Sequence, residues 1–237
     1  MNKIHFANLS FKGLDKRTLL IEELFLKFIV TVNAEFIIRA NSDNSFKKLI
    51  NSNYATFDGQ VPYIIARRQN PNIHFQKLSG SDLIYDFAEM AKEKKKKMFL
   101  LGGYEESNKG AIKKIKSIYD IQIDGFSPVY QEYPFTELHN ILIIEKIKVF
   151  KPDILFVGFG AIKQEFWINE HKEILEKIGV KWVIGSGGTF EFVAGTIKRA
   201  PIWIQKIGLE GAYRTIKEPN LMRFKRLLFS FKIFKYI

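Results

Sequence analysis

The sequence contains no cysteine among its 237 residues, so neither a disulfide framework nor a thiolate metal site can form. Its four histidines (His5, His74, His139 and His171) are scattered and give no metal-ligand spacing. No run of about 18 uncharged apolar residues occurs, so we expect no membrane-spanning helix. The N-terminal stretch also lacks the apolar core of a secretory signal. These absences favour a reducing compartment and argue against a metal centre.

Several nucleotide-binding motifs are missing as well. There is no G-x-x-x-x-G-K-[ST] segment, which excludes a P-loop. The stretch GFGAIK (158–163) begins like a dinucleotide fingerprint, but Lys163 stands where the third glycine belongs. No acidic residue ends a strand about 20 residues later, where a ribose partner is needed. Nor is there an Asp-x-Asp pair to hold a divalent metal. We therefore expect neither NAD nor a metal, and no cofactor.

What the chain does contain is an alternation of short apolar runs with helical patterns. Short uninterrupted apolar strands between helices indicate a parallel sheet covered on both faces. We predict an α/β, Rossmann-like core over residues 1–195 and a basic, apolar helical appendage over 196–237. The predicted strands are 3–9 (one strand or a pair), 28–33, 54–59, 98–103, 120–127, 153–160 and 181–188, and the predicted helices are 17–28, 34–52 (one or two), 79–94, 108–119, 143–152 and 164–179.

Glycines and polar residues collect where these strands end. In such sheets, ligands bind at the carboxyl ends of the strands, and backbone N–H groups at these ends attract anions. We therefore predict a site for a phosphate-bearing ligand at this edge. The residues concerned lie in the segments 31–33, 58–60, 102–103, 158–160 and 185–189.

The net charge of +12 is concentrated in the appendage, where ten Lys and Arg residues face two acids. In its last segment, Leu221, Phe224, Leu228 and Phe231 recur at helical spacing between cations. This pattern is typical of a helix lying in the interface of an anionic membrane. The alternatives are a helix that packs on its own core or on a partner subunit, and a basic module that binds nucleic acid.

Seven stretches resemble the WecG/TagA/CpsF glycosyltransferases, bacterial enzymes of surface-polysaccharide and teichoic-acid synthesis. They occur in the family's order and span nearly the whole chain. The stretches are TVNAEF (31–36), FDGQ (57–60), LSGSDL (78–83), FLLGG (99–103), VGFGAIKQEFWI (157–168), GSGGTFEFVAGTIKRAP (185–201) and GLEGAYRTIKEP (208–219).

The resemblance implies a metal-independent, inverting transfer from a UDP-sugar to a polyprenyl-diphosphate-linked sugar. The transferred group would be a hexosyl or N-acetylhexosaminyl group, such as N-acetylmannosamine or glucose. It also implies a cytoplasmic protein, peripheral on the inner face of the cell membrane, with no nucleic-acid partner and a possible homo-oligomeric state. A nucleotide-sugar hydrolase, or another nucleotide-using α/β enzyme, is the alternative.

The resemblance assigns roles to individual residues. Asp58 would be the base that takes the acceptor's proton, although an Asp-Gly turn that caps the next helix is an alternative. Thr31 and Gln164 complete the expected catalytic set. Asn33 would contact the donor sugar and could also cap the following helix, and Lys163 would offset charge on the leaving diphosphate.

Further residues are expected to bind the two substrates. Glu165 and Glu191 lie within the motifs, where each could instead be an ordinary residue of a helix's first turn or surface. Two positions depart from the family: Ile162 replaces a frequent proline, and Lys77 replaces an arginine that could form a bidentate phosphate contact. The expected donor-binding residues are completed by Gly102, Gly103, Gly158, Gly160, Gly187, Gly188 and Thr189, and the expected acceptor- or diphosphate-binding residues are Lys77, Arg199 and Arg214.

Overall fold

The computed structural model describes residues 3–198, 200–201, 203–204, 213, 215–216 and 221–237. The strands within these ranges are β1 (Ile4–Phe6), β2 (Leu9–Phe11), β3 (Lys27–Val32), β4 (Tyr54–Phe57), β5 (Met98–Gly102), β6 (Ile123–Phe126), β7 (Ile154–Gly158) and β8 (Trp182–Gly185). The helices are α1 (Lys16–Leu20), α2 (Ala34–Ala40), α3 (Asn44–Ser52), α4 (Gln60–Gln69), α5 (Gly80–Lys94), α6 (Glu105–Tyr119), α7 (Glu137–Phe150), α8 (Lys163–Ile178), α9 (Thr189–Ala194) and α10 (Leu221–Ser230), which a 3₁₀ helix follows at Phe231–Lys235.

Six of these strands form one sheet in the order β4-β3-β8-β7-β5-β6. The pairs β3–β8, β8–β7, β7–β5 and β5–β6 are all parallel. Strands β3, β5 and β8 are buried along their whole length, as expected when helices cover both faces of a sheet. The predicted α/β fold, a Rossmann-like parallel sheet flanked by helices, is confirmed.

Three of the glycine-rich strand ends meet at one edge of this sheet. Gly102 of β5 lies opposite Gly158 of β7, and Val157 of β7 lies opposite Gly185 of β8. The parallel register therefore places the last residues of β5, β7 and β8 level with one another. This arrangement confirms the predicted convergence for these three strands.

Tertiary contacts divide the chain into two compact units. Unit 1 comprises Met1–Thr18, Thr31–Ser79 and Lys198–Ile237, and its core includes the stacked rings of Phe11 and Phe57. Unit 2 comprises Leu19–Val30 and Gly80–Ile197, and its core includes Phe87 packed edge-on against Trp182.

The helix predicted over residues 17–28 is wrong beyond Leu20. Helix α1 ends at Leu20, and β3 begins at Lys27. The buried Lys27 ammonium donates to the Ile21 carbonyl at 2.8 Å and pairs with Glu23 at 3.1 Å, which holds the intervening segment as a loop. Pairing of Lys27 with Trp182 in the sheet thus overrides the local helical pattern.

Residues 221–235 are helical, and we call residues 221–237 the C-terminal segment. Helix α10 and the 3₁₀ helix both pack against α2 of the same unit, and Ile233 is buried. Large apolar side chains nevertheless remain exposed along the segment, and exposed lysines lie between them. The exposed apolar residues are Phe224, Leu228, Phe231 and Phe234, and the exposed lysines are Lys225, Lys232 and Lys235. No helix among the described residues is long and apolar enough to cross a membrane.

Candidate active site

Three of the predicted donor-site glycines are required by packing inside unit 2. A Cβ on Gly102 would lie 2.8 Å from the Gly158 carbonyl oxygen. A Cβ on Gly103 would lie 2.8 Å from the Phe190 ring, and one on Gly158 would lie 2.9 Å from the same ring. The Gly103 N–H also donates to the Gly158 carbonyl at 2.9 Å. These contacts explain the three glycines without a ligand, so their role in donor binding stays a prediction.

The other three predicted glycines face open space. Gly160 and Gly187 have φ values of +94° and +49°, and a Cβ on either would meet no atom within 4 Å. A Cβ on Gly188 would meet only Glu191 Oε2, at 3.7 Å. Backbone at these three positions is therefore open to the close approach of a ligand.

Gln164 and Glu165 belong to a buried chain of hydrogen bonds at the start of α8. The Ile162 backbone N–H donates to Glu165 Oε2 at 2.6 Å, and the Gln164 side-chain amide donates to Glu165 Oε1 at 2.7 Å. The Gly187 backbone N–H donates to Gln164 Oε1 at 3.1 Å. We call these four residues the Glu165 hydrogen-bond chain. It joins the first turn of α8 to the turn that follows β8.

Burial dominates the electrostatics of Glu165. Burial raises the pKa of its carboxyl to about 7, although the hydrogen bonds from Gln164 and Ile162 act in the opposite direction. Both side chains are almost inaccessible, with exposed fractions of 2% for Gln164 and 0% for Glu165. Glu165 thus has the structural role in the first turn of α8 that the sequence left as an alternative. Its carboxyl group lies inside unit 2.

The residue before α8 has an unusual backbone. Ile162 has φ +74° and ψ −47°, which is a rare conformation for a β-branched residue. Proline is restricted to φ near −65°, so it could not adopt this turn, and it would lack the N–H that Ile162 donates to Glu165. The neighbouring Lys163 ammonium lies 5.6 Å from the centre of the Tyr130 ring.

Thr189 and Glu191 lie in the first turn of α9. The Thr189 hydroxyl is buried and donates to the Ser186 carbonyl at 2.6 Å, so it stabilises the turn after β8. Glu191 Oε2 is buried and has no hydrogen-bond partner among the described residues. The alternative of a solvated Glu191 is therefore wrong for this oxygen.

Unit 1 collects the other predicted residues at the ends of β3 and β4. The Asp58 backbone N–H donates to the Val32 carbonyl at 2.9 Å, which brings the ends of the two strands together. Asn33 caps α2, because its side chain accepts from the Phe36 N–H at 3.1 Å. The predicted capping role of Asn33 is thus confirmed. Thr31 is buried in β3, one residue before Val32.

Asp58 directly precedes Gly59, the N-cap residue of α4, which has φ +98°. Lys77 forms a parallel bridge with Phe57, so it lies beside the strand end that carries Asp58. The structure therefore brings Asp58, Lys77, Thr31 and Asn33 together within unit 1. Arg199 and Arg214, the other predicted cations, lie outside the described residues.

Some features of unit 2 had little signal in the sequence. The motifs did not single out the Glu165 hydrogen-bond chain or its contact with Gly185, where an added Cβ would overlap Glu165 Oε1. Nor did they indicate a cleft of about 460 Å³ between α7 and α8, lined in part by Asn140, Ile144 and His171, which contains none of the predicted site residues. No group of three or more His, Asp or Glu side chains in the part of the chain that the structure describes is arranged to hold a metal ion.

Comparison with known proteins agrees with the resemblance drawn from the motifs. A sequence model of the glycosyl transferase WecG/TagA/CpsF family matches residues 3–237. A protein of Bacillus subtilis (strain 168) is 33% identical over 202 residues, which cover 84% of this chain and 74% of the relative. A protein of Staphylococcus aureus (strain MRSA252) is 32% identical over 212 residues, which cover 88% and 80%.

Both relatives carry the name N-acetylglucosaminyldiphosphoundecaprenol N-acetyl-beta-D-mannosaminyltransferase. The family match extends over almost the entire chain and includes every predicted site residue. The chain therefore belongs to the WecG/TagA/CpsF family of glycosyl transferases.

Proposed function

We propose that the protein transfers an N-acetylhexosaminyl or hexosyl group, with N-acetylmannosamine the first candidate, from a UDP-sugar to a polyprenyl-diphosphate-linked sugar. The names of the B. subtilis and S. aureus relatives support this donor group and this class of acceptor. The product would enter the synthesis of a cell-surface polysaccharide or teichoic acid.

The observation that carries the proposal is the group of polar residues at the ends of β3 and β4. Asp58 follows β4 and is partly exposed, and it lies one residue before Gly59, the N-cap of α4. A carboxylate at this position suits general base catalysis. In the proposed step, the acceptor hydroxyl oxygen attacks the anomeric carbon as its proton passes to Asp58. The bond from that carbon to the diphosphate oxygen breaks, UDP leaves with the electron pair, and the anomeric configuration inverts.

The remaining predicted residues have supporting roles in this proposal. Thr31 and Asn33 would orient the sugar beside Asp58, while Lys77 and Lys163 would offset negative charge on a diphosphate. Gln164 would act from within its buried hydrogen bonds, and the open backbone at Gly160, Gly187 and Gly188 would approach the donor. The donor would also be contacted by Gly102, Gly103, Gly158 and Thr189. The acceptor or its diphosphate would be bound by Arg199 and Arg214.

We also propose that residues 196–237 form an appendage that binds the inner face of the cell membrane, where a polyprenyl acceptor would be embedded. The exposed phenylalanines of the C-terminal segment support this, because they alternate with exposed lysines. The catalytic core would then comprise residues 1–195.

A donor screen tests the proposal. The purified full-length protein would be incubated with individual UDP-sugars, with and without polyprenyl-diphosphate-linked N-acetylglucosamine. We expect sugar transfer only with the lipid acceptor, at an unchanged rate in EDTA. Release of free sugar without acceptor would indicate a hydrolase, and loss of transfer in EDTA would contradict metal independence.

A further inference from the structure

The Glu165 hydrogen-bond chain has a fixed direction. Every link runs from a donor to an acceptor: Ile162 N–H and the Gln164 amide both donate to Glu165, and Gly187 N–H donates to Gln164. Only a group that accepts at both oxygens can occupy position 165 without disturbing its neighbours. A carboxylate meets this requirement, whereas an amide does not.

The chain ends at a backbone position that is open on its other side. Gly187 has a positive φ, and no atom lies within 4 Å of the place where its Cβ would be. Its N–H is held by Gln164, so the orientation of the turn from Gly187 to Thr189 depends on how the Gln164 amide is turned. That orientation depends in turn on Glu165, because Glu165 accepts from the amide nitrogen.

We propose that Glu165 is a positioning residue, which fixes the Gln164 amide and, through it, the Gly187 turn against which the donor's nucleoside diphosphate binds. The identity of the ligand rests on the proposed function, but the mechanical coupling between Glu165 and Gly187 does not. Glu165 itself touches no substrate, since its carboxylate is fully buried.

Glu165→Gln is the variant that separates hydrogen-bond direction from size. If the introduced amide turns its oxygen toward Ile162 N–H, its NH₂ group faces the Gln164 amide nitrogen. Gln164 must then rotate, and its NH₂ group faces the Gly187 N–H, which leaves two donors opposed. The substitution also replaces a buried ionisable group with a neutral one. It therefore adds no desolvation cost and should not prevent folding.

The exchange variant Q164E/E165Q restores every donor–acceptor pair. The amide now at position 165 accepts from Ile162 N–H and donates to the carboxylate now at position 164, which in turn accepts from Gly187 N–H. A requirement for hydrogen-bond direction is therefore repaired by the exchange, whereas a requirement for charge at position 165 is not.

The experiment compares the wild type, E165Q and the exchange variant at pH 8, where Glu165 is mostly ionised, by hydrogen exchange of peptides covering residues 185–189 and by calorimetric titration with UDP. We expect about tenfold faster exchange and about tenfold weaker UDP binding in E165Q, the effect of one unpaired buried donor. The exchange variant should recover the slow hydrogen exchange. Exchange and UDP binding that stay unchanged in E165Q, or fast exchange that the exchange variant fails to slow, overturn the proposal. Absence of UDP binding in the wild type would contradict the proposed function instead, while hydrogen exchange without ligand would still report on Glu165.

Discussion

Gly185, the last residue of β8, packs directly against the carboxylate of Glu165. A Cβ at Gly185 would overlap Glu165 Oε1 and would lie 3.0 Å from the Gln164 amide nitrogen. Both neighbours are buried and hydrogen-bonded, so neither can move aside freely. The absence of a side chain at Gly185 is thus explained by the buried Glu165 carboxylate, and a bound ligand is not needed to explain it.

This contact predicts that Gly185→Ala destabilises the fold. Extra volume in a packed interior typically costs about 1–3 kcal/mol, and here it would also strain the Glu165 hydrogen-bond chain. Gly188→Ala is a matched control, because φ is −81° there and the nearest atom to an added Cβ is 3.7 Å away. Urea unfolding of both variants measures the difference. Equal free energies of unfolding would contradict the packing described for Gly185.

The raised pKa of Glu165 predicts how stability depends on pH. Burial raises this pKa from its ordinary value of 4.5 to about 7 in the folded protein. The folded state therefore binds the proton more tightly than the unfolded chain does. The contribution of Glu165 to the free energy of unfolding is complete below pH 4.5 and is lost as the pH rises to about 7, a decline of roughly 3 kcal/mol.

Glu165→Gln should remove that decline, because glutamine does not titrate. The measurement is the free energy of unfolding between pH 5 and pH 8, compared between the wild type and the variant. Glu173→Gln removes the same charge from an exposed position of α8 and serves as the control. The pH effect would not belong to Glu165 if the E165Q and wild-type curves ran parallel.

The sequence predicted the sheet and its glycine-rich edge because buried parallel strands are short apolar runs, which stand out in any sequence. The predicted helix was wrong over residues 21–26. Apolar residues do recur there at helical spacing, but the contacts of Lys27 hold the segment as a loop. The motifs singled out candidate site residues, but they could not separate glycines held by internal packing from glycines open to a ligand. That distinction depends on Phe190 and Gly158, which approach Gly103 and Gly102 only in the folded chain.

Asp58→Asn should abolish most of the transfer activity. Asparagine keeps the shape of the side chain but cannot take up the acceptor's proton, and a positioned base contributes roughly 10²–10⁴ in rate. UDP binding should stay close to that of the wild type, because the base acts on the acceptor. Initial rates with the lipid acceptor, together with calorimetric titration with UDP, check both expectations.

Asp43→Asn is the control for this substitution in the same unit. Asp43 caps α3 by accepting from the Ser45 and Phe46 N–H groups, and asparagine caps helices equally well. Its transfer rate should match that of the wild type. Full turnover by Asp58→Asn would rule Asp58 out as the base, whereas equal losses in both variants would point to general damage to the unit.

The exposed phenylalanines of the C-terminal segment should govern membrane binding. Burying a phenylalanine side chain in an apolar phase is worth about 1.5–3 kcal/mol, so Phe231→Ser/Phe234→Ser should weaken binding to anionic liposomes at least tenfold by the lower estimate. Leu24→Ser is the control, because Leu24 is 87% exposed in unit 2, outside the proposed appendage. Co-sedimentation at two salt concentrations measures both parts of the interaction, since the lysine contribution weakens as salt rises. The proposed membrane contact would be contradicted if the double variant bound liposomes as well as Leu24→Ser does.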